Sequence, residues 1–335
     1  MDEEKFQSHE NGFIERLHQL THYGDRPWNM LLIIVSVLVV LLIVGIGALL
    51  WRDSAAARQA FGLNFLQPTL NSSWNPVKNK FQSWPFIYGT LMTSLTALAI
   101  AIPISLGTAI FLAELSPDWL RLPLSWLVEL LAAIPSVVYG LWGIFVFLPL
   151  VVTPVGQFLG ETLGALPLIG AFFRGPIPVS GTSRLAAGLI LSIMVTPTIA
   201  AITRDVFLVI PAHQREASLA LGATKWETIW KVLIPYGLSG ILGGVILGLG
   251  RALGETMAVT MVIGNSIEGT LSLLRPGYTM SSVIANQFAE AVSNLHADAL
   301  VEIGLILFIM TLILNIIARF LVWRVASKTP QQVRA

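Results

Sequence analysis

The chain has 335 residues, of which 55% are hydrophobic and only 12% are charged, and its net charge is +1. This charged fraction is about half that of an ordinary soluble domain, so the apolar excess must face membrane lipid rather than water. The near-neutral charge excludes a strongly basic nucleic-acid-binding protein, and the lack of cysteine excludes disulfides and thiolate metal sites.

Residues 1–28 are predicted to form a polar cytoplasmic tail. The uncharged run Trp28–Trp51 follows, which is too long for the core of a cleavable signal and long enough for a membrane-spanning helix. Within the tail, apolar residues recur at near-helical spacing, which is compatible with a short interfacial helix or with a frayed tail; they are Phe13, Ile14, Leu17 and Leu20.

Six apolar segments follow one another along the chain. Each can supply about 20 residues of helix, the length that crosses ~30 Å of hydrocarbon. The predicted fold is therefore all-α, a polytopic membrane protein with a transmembrane domain at 29–325 and a cytoplasmic tail at 326–335. The spans are expected at about 29–51, 85–114, 126–152, 185–208, 236–265 and 300–323.

The distribution of Lys and Arg predicts the orientation of these spans. With both termini in the cytoplasm, the inner segments hold twelve Lys and Arg residues and the outer segments seven, as the positive-inside rule requires. The two long outer loops, 52–84 and 153–183, are rich in Pro, Gly, Trp and Asn and are long enough to meet a partner outside the membrane.

Proline interrupts three of the predicted spans, at Pro103, Pro135 and Pro197. Each ring removes a backbone donor, and in lipid such a break survives only where neighbouring groups or water satisfy the backbone. A single proline is compatible with a packing kink, whereas three together favour a cavity lined by protein.

The segment 211–235, between the fourth and fifth spans, has the pattern of a cytoplasmic helical hairpin. Pro211 suits the first turn of a helix, and Gly222 can adopt the left-handed conformation that ends it. Thr224 and Glu227 form a capping-box pattern that begins a second helix. The first helix carries small residues at 217, 218 and 220, and the second carries an apolar face made by Trp226, Ile229, Trp230 and Leu233.

This hairpin resembles the signature of ABC-importer permeases, in which Glu-Ala-Ala is followed by three residues, Gly, nine residues and Ile-x-Leu-Pro. The resemblance implies a type I importer permease fold in which this segment is the coupling helix that docks on a separate ATPase; an ordinary cytoplasmic hairpin is the alternative. The chain has no Walker-type phosphate loop and is not expected to be an enzyme. The signature is matched by Glu216, Ala217, Gly222 and Pro235, with conservative departures at Ser218, Val232 and Ile234.

The fifth apolar segment carries two charges, Arg251 and Glu255, one predicted helical turn apart. An Arg near mid-bilayer costs at least ~2.5–3.5 kcal/mol, so it needs a structural or functional reason. Either Arg251 simply pairs with Glu255, or Arg251 meets an anion during transport while Glu255 balances it in the empty state. Small residues let another helix approach the same face, which is formed by Gly240, Gly244, Gly248, Arg251 and Glu255.

Further motifs resemble those of phosphate-transporter permeases. They are Ala133–Gly140 in the third span and Gly250–Met257 in the fifth, and the N-terminal half is similar to the C-type permease of the bacterial high-affinity phosphate (Pst) system at Phe61–Leu66, Trp74–Pro76 and Pro85–Leu91. The resemblance extends over about residues 30–325. It implies an inner-membrane subunit that works with an A-type permease subunit, an ATP-binding ATPase dimer and an external phosphate-binding protein, with phosphate passing Arg251 and no cofactor.

The remaining candidates are weaker. Glu114, Glu129 and Glu302 fall at predicted span ends, where a carboxylate usually sits in the interface, and His213 is expected on the surface. The five His are too scattered to indicate a metal site. The rival functions are a permease for molybdate or sulfate, an ATP-independent secondary transporter, which leaves the hairpin unexplained, and a membrane scaffold or sensor, which leaves Arg251 unexplained.

Single cysteines test the predicted orientation, because the chain contains none of its own. Glu3→Cys and Pro330→Cys should be shielded from impermeant thiol reagents in intact cells, whereas Leu70→Cys and Gly175→Cys should react, since the charge bias places both termini inside. Labelling after lysis is the control for total thiol. Labelling of either terminus from outside intact cells would contradict the arrangement.

Overall fold

The structure is a computed structural model that describes residues 2–69, 74–167 and 169–326, with the side chains of 2–27, 325 and 326 outside the description. The chain divides into two compact units, residues 1–53 and 54–335. The first unit is one helix, α1 (Asp2–Asp53), whose described side chains are nearly all exposed. The side chains of the predicted interfacial helix and almost all of the predicted tail 326–335 lie outside the described residues.

The second unit consists of helices and the loops that join them, and the described residues contain no β-strand, only two isolated bridges. The prediction of an all-α chain is therefore confirmed. The helices are α2 (Ala55–Phe61), α3 (Trp84–Ile110), α4 (Asp118–Ala133), α5 (Ser136–Trp142), α6 (Thr153–Leu163), α7 (Gly170–Phe173), α8 (Arg184–Val209), α9 (Ala212–Ala220), α10 (Lys225–Thr228), α11 (Ile234–Gly254), α12 (Met257–Val262), α13 (Met280–Gln287) and α14 (Asn294–Ala326).

Six continuous helical stretches within the described residues are long and apolar enough to cross a membrane, as predicted. Two of them join two helices through a π-helical segment, at Gly143–Val152 and Ile229–Leu233, and the stretch Trp84–Leu115 ends in a π-helical turn, Phe111–Leu115. The six stretches are Trp28–Asp53, Trp84–Leu115, Ser136–Leu163, Arg184–Val209, Lys225–Gly254 and Asn294–Arg324.

Two of these stretches differ from the predicted spans. The predicted span 126–152 is divided, because Ile134 and Pro135 are extended (ψ 130° and 139°), and the crossing helix begins only at Ser136. The residue before a proline is driven out of the helical region, which explains the break. The predicted span 236–265 is displaced, because the continuous helical stretch begins at Lys225, in the second hairpin helix, and ends at Gly254, where Glu255 is extended (ψ 126°) and a separate short helix follows.

The other two prolines leave their helices unbroken. Pro103 lies inside α3 and Pro197 inside α8, and both helices continue past them. The α3–α8 contact includes a hydrogen bond from Ser105 Oγ to the carbonyl oxygen of Thr196 (2.9 Å), directly before Pro197. Of the three prolines, only Pro135 interrupts its helix.

Helix α8 is the central element of the second unit. It packs along α3 on one side and along α11 on another, and it also contacts α4 and α12. Glycines bring α11 close, because a Cβ atom added at Gly240 would lie 2.5 Å from Val206 Cγ2, and one at Gly248 would lie 2.7 Å from Ile199 Cδ1. The glycine face predicted from the sequence is therefore the face that α11 turns towards α8.

The described residues of the segment before α3, 54–69 and 74–83, pack around an aromatic cluster. Trp74 packs edge-on against Phe81, with ring centroids 4.7 Å apart, and Phe81 stacks on His296 at 5.2 Å. Trp74 Nε1 also donates to Gln287 Oε1 (2.7 Å), which fixes the segment against the end of α13. What the sequence presents as a long loop is thus a small packed layer over the starts of α3 and α14.

Two glycines of α3 allow a matched stability test. A Cβ at Gly89 would clash with the backbone carbonyl of Tyr278, whereas one at Gly107 meets no described atom within 4 Å. Gly89→Ala should lower stability by about 1–3 kcal/mol or more through overpacking against backbone, and Gly107→Ala should be neutral or stabilise by up to ~1 kcal/mol. The measurement is the thermal unfolding midpoint in detergent. Equal midpoints for the two variants would refute the close approach at Gly89.

Candidate functional site

Arg251 lies in the last turn of α11, on the face that packs against α8. Its Nη1 donates a hydrogen bond to Thr198 Oγ1 (3.1 Å), and its side chain is half-buried. This is the one hydrogen bond that Arg251 makes among the described residues, although a guanidinium carries five N–H donors. Most donors of the half-buried Arg251 guanidinium therefore have no hydrogen-bond partner among the described residues.

Glu255 does not face Arg251 as the helical spacing predicted. The α-helix ends at Gly254, and Glu255 Oε1 accepts a hydrogen bond from the backbone N–H of Ala258 (3.2 Å), at the start of α12. The Ser281 hydroxyl donates to the Glu255 carbonyl (2.8 Å). No ion pair joins Arg251 to Glu255 in the described part of the chain, so in this conformation Glu255 caps a helix rather than neutralising the arginine.

The motif Ala133–Gly140 packs against α12, the helix that begins at Met257, the last residue of the motif Gly250–Met257. Gly140, on α5, lies against α12, where a Cβ atom would be 2.6 Å from Met261 Sδ and 3.3 Å from Ala258 Cα. The Tyr139 hydroxyl donates to the Leu131 carbonyl (2.9 Å) across the Pro135 break. The two helix interruptions, one in each motif, are therefore in neighbouring elements that pack through a glycine.

The turn of the hairpin has the conformation that the sequence predicts. Gly222 has φ +86°, the left-handed conformation, with no described atom within 4 Å of an added Cβ. The capping box of the second helix is complete, since Glu227 N donates to Thr224 Oγ1 (3.2 Å) and Thr224 N donates to Glu227 Oε2 (3.0 Å). A hydrogen bond between the Ser218 and Thr228 hydroxyls (2.9 Å) joins the two helices of the hairpin.

The remaining residues of the predicted coupling signature are exposed. Glu216 and Ala217 are exposed on α9, and Pro235 is exposed in the first turn of α11. The most exposed apolar side chain of the turn is Leu221, with 89% of its surface accessible. The exposed surface of α9 and the turn therefore carries the Glu216 carboxylate and the projecting apolar side chain of Leu221.

The predicted apolar face of the second hairpin helix is divided in the structure. Ile229 and Leu233 are buried, but Trp226 and Trp230 are 59% and 48% exposed and pack edge-on against each other at 5.7 Å. The expectation of a single face is wrong because Ile229–Leu233 is π-helical, and the wider turn changes the angular spacing of its residues.

The three weaker carboxylates each pair with an arginine. Glu129 on α4 accepts from Arg204 Nη2 (3.0 Å), and Glu302 lies 3.9 Å from Arg58 Nη1. Glu114 accepts a fork of hydrogen bonds from Arg215, with the shortest distance 2.7 Å. His213 is exposed, and its one side-chain hydrogen bond among the described residues is with Gln214 (3.2 Å).

Two arginines that hold elements of the fold together were not predicted from the sequence. Arg215 joins the hairpin to the transmembrane helices, and its partner Glu114 is 101 residues away. Arg184 is fully buried at the start of α8, and it donates to the carbonyls of Ser272 (3.1 Å) and Glu268 (3.2 Å), which holds the loop between α12 and α13. Its position directly after Ser183, the N-cap of α8, is the only signal in the sequence.

Comparisons with known proteins agree with this arrangement. Residues 105–329 match the family described as "Binding-protein-dependent transport system inner membrane component". The chain is 45% identical to the phosphate transport system permease protein PstC of Xylella fastidiosa (strain 9a5c), over 88% of this chain and 89% of the relative. It is 46% identical to the PstC protein of Pasteurella multocida (strain Pm70), over 88% of this chain and 90% of the relative.

A solved structure has the same fold. It is the crystal structure of a bacterial alginate ABC transporter in complex with an alginate pentasaccharide-bound periplasmic protein. The superposition has a TM-score of 0.53 at 17% identity, and it covers 90% of this chain and 96% of that one. At this identity the likeness concerns the fold alone.

Proposed function

The chain belongs to the PstC family of phosphate transport system permeases, and from that membership we propose that it forms half of the phosphate pathway of an ATP-driven importer. The observation that carries the proposal is Arg251, a cation in the last turn of a candidate membrane span whose one described hydrogen bond goes to a neutral hydroxyl. An arginine in that setting is costly unless it serves a function. A passing phosphate would meet unused donors and an uncompensated charge.

A pathway site has to release its substrate as readily as it binds it. Arg251 lies among helices that offer few other cations, so phosphate would be held transiently rather than enclosed. The planar guanidinium fork matches two phosphate oxygens, which favours Arg over Lys at this position. Glu255, which caps α12, would keep α12 in place beside the arginine.

The energy would come from ATP bound to a separate ATPase dimer that docks on the hairpin 211–235. Exposed Glu216, the small residues Ala217 and Ser218, and the projecting Leu221 supply a narrow surface of suitable chemistry. Closure of the ATPase dimer would move the hairpin and shift the spans between inward-open and outward-open states.

The other proposed partners follow from the family. An A-type permease subunit would supply the second half of the pathway, and an external phosphate-binding protein would deliver the anion to the outer surface. Both termini are proposed to be cytoplasmic, from the charge bias. A permease for molybdate or sulfate is the second candidate, since an arginine contact alone does not distinguish tetrahedral oxyanions; the PstC relatives favour phosphate.

Charge removal tests the phosphate contact. Arg251→Gln should abolish most uptake, and the double variant Arg251→Gln with Glu255→Gln should remain deficient, because a neutral amide gives an anion little electrostatic help in a low dielectric. Arg251→Lys should keep part of the activity, since it keeps the charge without the fork. The measurement is radiolabelled phosphate uptake per assembled complex, with low-affinity phosphate systems deleted.

The matched control is Thr198→Val, which removes the partner of Arg251 but leaves the charge, and it should retain substantial uptake. Near-normal phosphate uptake by the double-neutral variant would refute the phosphate contact and leave a structural role for the two charges. Competition by sulfate or molybdate in the same assay distinguishes the second candidate function.

Variants of the hairpin test the proposed docking. Gly222→Leu has room for its side chain but forces a branched residue into the left-handed region, and Glu216→Lys reverses the exposed charge. Both should reduce ATPase association or phosphate-dependent ATP hydrolysis without affecting membrane insertion. Gly222→Asn and Glu216→Gln are the controls, because Asn tolerates the left-handed conformation and Gln avoids the reversal. Normal coupling in both test variants would exclude this hairpin as the docking element.

A further inference from the structure

A single side chain of the hairpin bonds to two other elements at once. Arg215 Nε and Nη2 donate to the Glu114 carboxylate at 2.7–3.2 Å, Nη1 donates to the Ile210 carbonyl (2.6 Å), and Nη2 donates to the Phe207 carbonyl (2.6 Å). A guanidinium is suited to this arrangement because its donors are fixed in one plane and point in several directions.

These partners are the ends of two membrane-spanning helices. Glu114 belongs to the π-helical turn that ends the stretch Trp84–Leu115, while Phe207 lies in the last turn of α8 and Ile210 directly follows that helix. Beneath the arginine an apolar cluster fills the space between the same elements; it consists of Ala109, Ile110, Ala113, Phe207, Ile210, Ile229, Leu233 and Ile241. Arg215 therefore bonds across a packed junction of α3, α8 and the hairpin.

The surroundings of the pair distinguish it from a surface ion pair. The side chains of Arg215 and Glu114 are only 23% and 15% exposed, whereas those of Lys231 and Glu227, which form the ion pair of the second hairpin helix, are 73% and 43% exposed. An exposed pair of the latter kind contributes little, but a shielded bidentate pair resists solvent screening and is costly to break.

The hairpin is also braced internally. The Ser218–Thr228 hydrogen bond ties α9 to α10, so a force applied to α9 would not simply open the hairpin. We propose that the Arg215–Glu114 pair is the mechanical joint through which movement of α9 reaches the second and fourth spans, with Arg215 as a positioning residue. This inference rests on the proposed coupling function and adds the route by which the movement is passed on.

The joint is tested on the assembled complex by measuring phosphate transported per ATP hydrolysed. Glu114→Gln keeps the shape but removes the charge, and Arg215→Lys keeps the charge but loses the fork. Each should lower the ratio about 3- to 30-fold, the range expected when a residue that carries coupling between sites is removed. The double variant Glu114→Gln with Arg215→Gln should be no worse than the poorer single variant, since both changes break one interaction.

Two further variants separate coupling from mere folding. Glu129→Gln is the matched control, because Glu129 pairs with Arg204 on α8 and has no described contact with the hairpin, and its ratio should equal that of the wild type. Glu114→Asp keeps the charge on a shorter side chain and should give an intermediate ratio. If Glu129→Gln lowered the ratio of phosphate transported to ATP hydrolysed as much as Glu114→Gln does, the proposal of a joint would be refuted.

The outcome is separable from that of the proposed function. A wild-type complex without phosphate-stimulated ATP hydrolysis would refute the proposed function itself. A functional wild type whose ratio is unchanged in both Glu114→Gln and Arg215→Lys would refute the joint alone and leave the importer assignment standing.

Discussion

The helices of a membrane protein have to satisfy their backbone hydrogen bonds without help from water, and the two interruptions in this chain follow that constraint. At the Pro135 break, the Leu131 carbonyl loses the usual i+4 donor because proline has no N–H, and it accepts instead from the Tyr139 hydroxyl (2.9 Å) and from Ile134 N–H (3.4 Å). At the break after Gly254, the Glu255 carboxylate accepts from Ala258 N, and Ser281 donates to the Glu255 carbonyl. Side chains thus replace the missing helical bonds at both places.

The same constraint governs how the arginines are placed. Arg204 and Arg215 meet carboxylates near the hairpin end of the bundle, and the buried Arg184 meets loop carbonyls at the opposite end of α8. Arg204 and Arg215 are compensated by carboxylates of the fold, whereas Arg184 meets only carbonyl oxygens and its buried Nε has no hydrogen-bond partner among the described residues. Arg251 contrasts with Arg204 and Arg215, because its one described acceptor is a neutral hydroxyl. That difference supports the proposed contact of Arg251 with phosphate.

Much of this fold could be predicted from the sequence. Composition and run length indicate six spanning helices, and the turn residue Gly222 and the Thr224–Glu227 capping box are local signals that the structure reproduces. These features depend on residues close together in the chain. The resemblance of the hairpin and of Gly250–Met257 to importer motifs then indicated the family.

The parts that could not be predicted depend on distant contacts or on backbone irregularity. The prediction that Arg251 and Glu255 share one helix face assumes a continuous helix. The helix ends at Gly254, directly before Glu255, so the assumption fails at that residue. The predicted apolar face of Trp226–Leu233 rests on the same assumption of regular α-helical spacing. That spacing is lost where a π-helical turn widens it. The pairing of Arg215 with Glu114 carries no local pattern, because the two belong to elements that meet only in the folded bundle.

The glycines of α11 have a consequence for the position of Arg251. Gly240, Gly244 and Gly248 let the axis of α11 approach α8 more closely than any side chain would allow, and Arg251 follows on the same face three residues later. The position of its guanidinium relative to α8 therefore depends on the separation of the two helix axes as well as on the rotamer of the arginine. A methyl group at Gly248 would widen that separation and withdraw the charge from Thr198 without altering an atom of the arginine itself.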